Sequence, residues 1–110
     1  MITRVWHGRT SIANADKYLT FLLTDGTRGY KVTPGNLSVK VWRRLEKDVC
    51  HFYTVTEWDS VDAIIRFAGA DYTKAIYYPQ DEGILLEFEP VVMHYECFIP
   101  NPGGAENVRI

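Results

Sequence analysis

The stretch WDSVDAIIRFAG at positions 58–69 decides the fold. It reads as the end of a strand, a helix start and one short amphipathic helix. Asp59 or Ser60 can accept hydrogen bonds from the unpaired amides of a first turn, and Asp62 complements the positive end of the helix. Val61, Ile64, Ile65 and Ala68 recur at the i, i+3, i+4, i+7 spacing of one apolar face, and Gly69 offers a left-handed stop. A helix with one apolar face must lie on something. The alternating runs on either side identify that partner as a sheet.

Working outward, residues 2–9 alternate as a first strand, with Thr3, Val5, His7 and Arg9 on one face and Ile2, Arg4, Trp6 and Gly8 on the other. Asn14 is expected to cap a helix whose buried stripe is Ala15, Tyr18, Leu19 and Leu22, ending at Asp25-Gly26 and Gly29. A loop or extended connection then runs to the turn signal Pro34-Gly35-Asn36. Residues 37–46 and 49–58 form the second and third strands around a Lys47-Asp48 hairpin. After the organising helix, residues 71–78 read as a short helical piece stopped by Pro79, and 81–88 as another helical turn or two. Residues 91–98 alternate as a last strand, and 99–110, containing Pro-Gly-Gly, form an extended tail.

The order strand, helix, strand, strand, helix, strand is that of the split βαβ, or ferredoxin-like, α+β fold, a four-stranded antiparallel sheet with helices on one face. The opposite face carries Val, Leu, Trp and Tyr among its charges, too much apolar surface to leave in water. A second copy of the chain can cover it, so a homodimeric α+β barrel is expected. Residues 1–98 make one domain, which suits a chain of 110 residues.

Composition narrows the partners. Hydrophobic residues make up 46% and charged residues 24%, the balance of a globular protein, and the net charge of −2 gives no bulk attraction to nucleic acid or an anionic membrane. No apolar run approaches the roughly 18 residues of a membrane span, and no signal-peptide core is present. Cys50 and Cys97 lack metal-ligand spacing and read as small half-buried hydrophobes, so a cytoplasmic setting and no metal are expected. Nucleophile-triad order, Walker loop and dinucleotide fingerprint are all missing.

FYTVTEWDS at 52–60, RFAG at 66–69, AIYYPQDE at 75–82 and VMHYE at 92–96 together resemble the antibiotic biosynthesis monooxygenase (ABM-type) family of dimeric α+β barrels, over roughly residues 1–98. The resemblance implies that fold, a homodimer, and a small-molecule pocket between sheet and helices. Family members include cofactor-free oxygenases of phenolic compounds, quinol oxygenases and haem-degrading enzymes. The haem-degrading set (an Asn on the first strand, a Trp in the second helix, a His beyond it) falls near His7, Phe67 and Tyr77, and none of the three matches. The expected activity is therefore cofactor-independent oxygenation of an aromatic, phenolic or quinol-like small molecule. A non-catalytic binding protein of the same fold is the alternative.

Such chemistry needs a base, donors for a developing oxyanion and a dry pocket. A base that titrates near neutrality favours histidine. His94 is the first candidate, with Glu96 on the same strand face to orient it; the competing reading is a half-buried His with a packing role. His7 follows, by its match to the family's first-strand polar position. Tyr77 or Tyr78 can donate to an oxyanion, while Trp58, Phe67 and Tyr72 can wall an aromatic pocket. For each of these, core packing is the competing reading.

Overall fold

The computed structural model describes residues 1–100. Strands β1 (Ile2–Ser11), β2 (Asn36–Glu46), β3 (Val49–Trp58) and β4 (Met93–Glu96) form one antiparallel sheet in the order β2-β3-β1-β4. Helices α1 (Ile12–Phe21), α2 (Arg28–Val32) and α3 (Val61–Ala68) complete the α+β, ferredoxin-like arrangement. No helix among the described residues is long and apolar enough to cross a membrane.

The period-2 pattern of β1 and β3 sorts side chains cleanly. Arg4, Trp6 and Thr10 of β1 and Cys50, Phe52, Thr54, Thr56 and Trp58 of β3 are buried on the helix-covered face. Val5, His7 and Arg9 share the other face with His51, Tyr53 and Val55. One core cluster gathers Trp6, Tyr18, Leu22, Phe52 and Leu85; a second gathers Tyr30, Trp58, Ala63 and Ile64. The open face leaves Trp42, Met93 and Tyr95 more than half exposed.

The organising helix forms where expected, but its buried face centres on Ala63 and Ile64 and leaves Val61 exposed. Ser60 Oγ accepts from Ala63 N at 3.2 Å, Ala63 and Ile64 are fully buried, and Gly69 ends the helix at φ 88°. Elsewhere tertiary contacts override local pattern. Ser11, not Asn14, caps α1, and the Asn14 amide is the group that donates to it. The expected connection after Gly26 contains α2, because burying Tyr30 against Phe67 (centroids 4.5 Å apart) and Thr54 outweighs the Gly-rich local signal. Residues 71–78 make a turn at 71–74, Lys74 N donating to Asp71 O, and no helix. Ala75 N donates to Pro90 O at 3.0 Å and Val92 N to Thr73 O at 2.9 Å, so the segment spends its backbone groups on a short pairing with 90–92. Of the helical turns expected over 81–88, one hydrogen-bonded turn forms, Ile84 N and Leu85 N donating to Asp81 O after a 3-10 turn at Pro79–Asp81; Leu85 then pairs with Thr10. The greater part of the expected tail, from residue 101, lies outside the described residues.

Candidate functional site

Between the helix-covered face and the segment around Pro79 lies a small cavity of ≈ 20 Å³, lined by Trp6, Tyr18, Tyr30, Thr54, Tyr78 and Asp81 among others. β1 and β3 supply Trp6 and Thr54, and α1 and α2 supply Tyr18 and Tyr30. The 3-10 turn aims Asp81 inward. Asp81 is 2% exposed, and its oxygens accept from the Tyr18 hydroxyl at 2.8 Å and the Tyr78 amide at 2.7 Å. Burial, then Asp81 itself, push the Tyr18 phenol far above its usual range, so Tyr18 stays a donor. The buried Trp6 indole N–H stands near the Tyr77 hydroxyl without hydrogen-bond geometry and completes no bond. It is a free donor on a residue that lines the cavity.

Outside this space, an open cleft of ≈ 450 Å³ is lined by Tyr77, Tyr78, Pro79, Glu82 and Phe88. Tyr78 belongs to both linings and divides inner cavity from outer cleft. Tyr77 is fixed by donating to Glu89 O at 2.6 Å and by edge-on packing with Phe88, centroids 4.8 Å apart. Burial raises the pKa of both phenols.

A third space, ≈ 140 Å³, lies between β1, α3 and β4 and is lined by Ile2, Ile64, Tyr72, His94 and Glu96 among others. Behind it sits Arg4, 2% exposed. Its Nη1 donates to Tyr72 O at 2.5 Å and contacts His94 Nε2 at 3.2 Å, its Nη2 donates to Lys74 O at 3.3 Å, and its Nε has no partner. Arg4 also stands 5.7 Å from the centre of the Phe67 ring. It forms no ion pair with a carboxylate among the described residues. A guanidinium can only donate, so His94 Nε2 accepts and the neutral ring carries its proton on Nδ1. Burial, then the Arg4 charge, lower the His94 pKa.

The expected site residues therefore fall in three places. Tyr77 and Tyr78 wall the outer cleft. His94, Tyr72 and Glu96 share the third space, with no hydrogen bond joining His94 to Glu96. Trp58 is a fully buried anchor whose Nε1 donates to Thr56 Oγ1 at 2.9 Å, and Phe67 packs between Tyr30 and Arg4. His7 lies on the opposite face of the sheet, away from all three spaces: an odd-numbered β1 residue cannot share a face with Trp6. The sequence puts Tyr18 in a buried stripe and gives Asp81 no role, because nothing in the local pattern joins positions 63 residues apart.

No family model and no curated protein matches the chain by sequence. Among solved structures it is similar to a crystal structure of a MhuD mutant with two manganese protoporphyrin IX bound per active site. The TM-score is 0.54 at 18% identity, with 94% of this chain and 100% of that chain covered. At that identity the likeness is one of fold. It bears out the ferredoxin-like α+β fold that the sequence order implied.

Proposed function

We propose that this protein binds a small phenolic or quinol-like aromatic in the interior beneath Tyr78 and oxidises it with O2, without a cofactor. The observation that carries the reading is the place of Tyr78 as the common wall of the ≈ 20 Å³ inner cavity and the ≈ 450 Å³ cleft. The inner space alone has room for about one water molecule. Rotation of Tyr78 joins it to a volume in the range of small-molecule sites.

The chemistry follows from what lines that space. A phenol or an activated CH2 must first lose a proton to become an anion able to reduce O2. The Asp81 carboxylate, held by Tyr18 and the Tyr78 amide, is the base in this reading. The free Trp6 N–H is the donor for the oxyanion, and the Arg4 cation, close behind Tyr30, favours negative charge there. Oxidation of CH2 to C=O by O2 places one oxygen atom in the product and releases the other as water, so no external reductant is needed. His94, its Nε2 engaged by Arg4, lines the separate third space and is not the base in this reading.

Oxygen uptake with an anthrone or a naphthohydroquinone tests this. Asp81→Asn should lower turnover at least about 100-fold, the scale of a lost general base, while the fold persists. Unchanged uptake in the variant contradicts the assignment. Ligand-induced thermal stabilisation with no oxygen uptake would instead identify a binding protein without turnover. Haem degradation stays outside this reading because His7 faces away from the interior and Phe67 and Tyr77 stand where the resemblance implies a Trp and an iron-ligating His. Titration with haemin should leave its Soret band unshifted.

The same reading places a second copy of the chain over the open face, where Trp42, Met93 and Tyr95 are more than half exposed. Sedimentation at micromolar concentration should give a dimer, and a stable single-chain species would remove this part of the proposal.

A further inference from the structure

On the open face, four titratable side chains form one continuous hydrogen-bonded row. Glu89 Oε2 meets His7 Nδ1 at 2.5 Å, His7 Nε2 meets His51 Nδ1 at 2.8 Å, and His51 Nε2 meets Glu46 Oε1 at 2.9 Å. The row crosses β1 and β3 and ties the end of β2 to the segment 84–89. Its neighbours are Tyr53, whose ring is 4.8 Å from His7, the Arg44–Glu46 pair at 3.4 Å, and the Arg9–Glu87 pair. The helices lie on the other side of the sheet and contribute no charge to it.

Counting protons fixes what the row is. Carboxylates only accept, so the two outer ring nitrogens, His7 Nδ1 and His51 Nε2, must each carry hydrogen. The inner nitrogens face each other and hold one proton between them. Three protons on two imidazoles give one shared positive charge between two carboxylates. With a fourth proton, two N–H groups point at each other and the central bond is lost. With only two, either the central contact loses its hydrogen or one carboxylate loses its donor. All three bonds coexist only in the three-proton state.

This state has a mechanical consequence. The segment 84–89 is strapped to β1 by Leu86 N on Arg9 O at 2.9 Å, by the Arg9–Glu87 pair and by the Glu89–His7 bond. The far side of the strap positions the outer cleft: Phe88 lines it, and the Glu89 carbonyl accepts from Tyr77, which also lines it. We propose that His7 and His51 form a shared-proton site, clamped by Glu89 and Glu46, that fastens this strap and so makes the cleft wall responsive to pH. The proposal stands on the geometry of the row and is independent of the oxidation chemistry above.

Nitrogen-15 spectra of the imidazoles, recorded across pH on the full chain, test the first half. Each of the two rings should report both steps of one coupled titration. A single independent step for each ring overturns the shared proton. Amide exchange tests the second half. Protection at Leu86 should hold where a fourth proton removes only the central bond, and fall as pH rises past the three-proton state, where the Glu89–His7 contact loses its charge assistance or its hydrogen. In Glu89→Gln it should fall by about tenfold, the scale of a charge-assisted bond discounted for partial exposure. In His51→Gln, which leaves one imidazole and no proton to share, the fall should follow a single His7 step. Unchanged Leu86 protection in Glu89→Gln, with the fold intact by circular dichroism, overturns the strap.

Discussion

The Tyr18 hydroxyl donates to Asp81 Oδ1 at 2.8 Å, joining α1 to the turn after Tyr78 in the interior of the fold. Both residues are nearly inaccessible, at 1% and 2% exposure. A buried carboxyl group needs donors in place of water, and Asp81 has two here: this hydroxyl and the Tyr78 amide.

Removing one donor should therefore cost stability beyond the lost contact. Tyr18→Phe is expected to destabilise the protein by about 1–3 kcal/mol, because a buried acceptor is left short. Asp81→Asn should cost a similar amount, since its one amide oxygen serves only one of the two donors and its NH2 then faces the other. Urea denaturation at neutral pH measures both. Tyr18→Phe at native stability would show that Asp81 is not held as described.

His94 gives the chain a pH-dependent term of known sign. Its pKa is lowered in the folded state from an ordinary 6.5, first by burial and then by Arg4. The unfolded chain therefore binds more protons in the window below 6.5, and the folded state loses stability as pH falls through it. This contribution is fully present above that pH. His94→Gln should flatten this part of the stability profile, and Arg4→Met should move the His94 titration part of the way back up in proton NMR, leaving only burial. A His94 resonance that stays put in Arg4→Met would remove the Arg4 contribution.

Two glycines separate strain from space. Gly35 and Gly69 have φ of 95° and 88°, so alanine at either meets the penalty of the left-handed region. At Gly35 a Cβ would also lie 2.4 Å from the Ala63 Cβ; at Gly69 nothing lies within 4 Å. Gly69→Ala should cost about 1–3 kcal/mol, and Gly35→Ala distinctly more, by thermal or urea unfolding. Equal losses would mean that the 34–36 turn yields freely away from α3.

Tyr78→Ala should raise the association rate of a naphthol-sized ligand severalfold in stopped-flow fluorescence, because the partition between the two spaces is gone. An unchanged rate would place the entrance elsewhere.

The parts of this fold that the sequence made legible are those in which neighbours in the chain decide the outcome. Alternation through 49–58 placed Phe52, Thr54 and Trp58 on one face, and the 58–69 stretch carried its own caps. The parts missed are those in which distant residues decide. Tyr30 makes α2 worth forming by burying against Phe67 and Thr54. The 71–78 segment gives its carbonyls to Arg4, Val92 and others instead of to a helix. The candidate site divides the same way. Tyr77 and Tyr78 were visible as aromatics beside a Pro, whereas the Tyr18–Asp81 bond and the free Trp6 N–H arise only when β1, α1 and the Pro79 turn converge, and the setting of Arg4 only when β1 meets β4 and the 72–74 segment. His7 was drawn to the site by its likeness to a family position, and its strand parity puts it on the other face.

The central claim is that an aromatic ligand enters the space lined by Trp6, Tyr18 and Asp81. The indole N–H resonances of Trp6, Trp42 and Trp58, followed while a naphthohydroquinone is added without oxygen, test it most directly. The account predicts a saturable downfield shift of Trp6 as its free N–H gains an acceptor, with Trp42 on the open face unmoved. A Trp6 resonance that stays fixed at saturation, or a shift confined to Trp42, would contradict it.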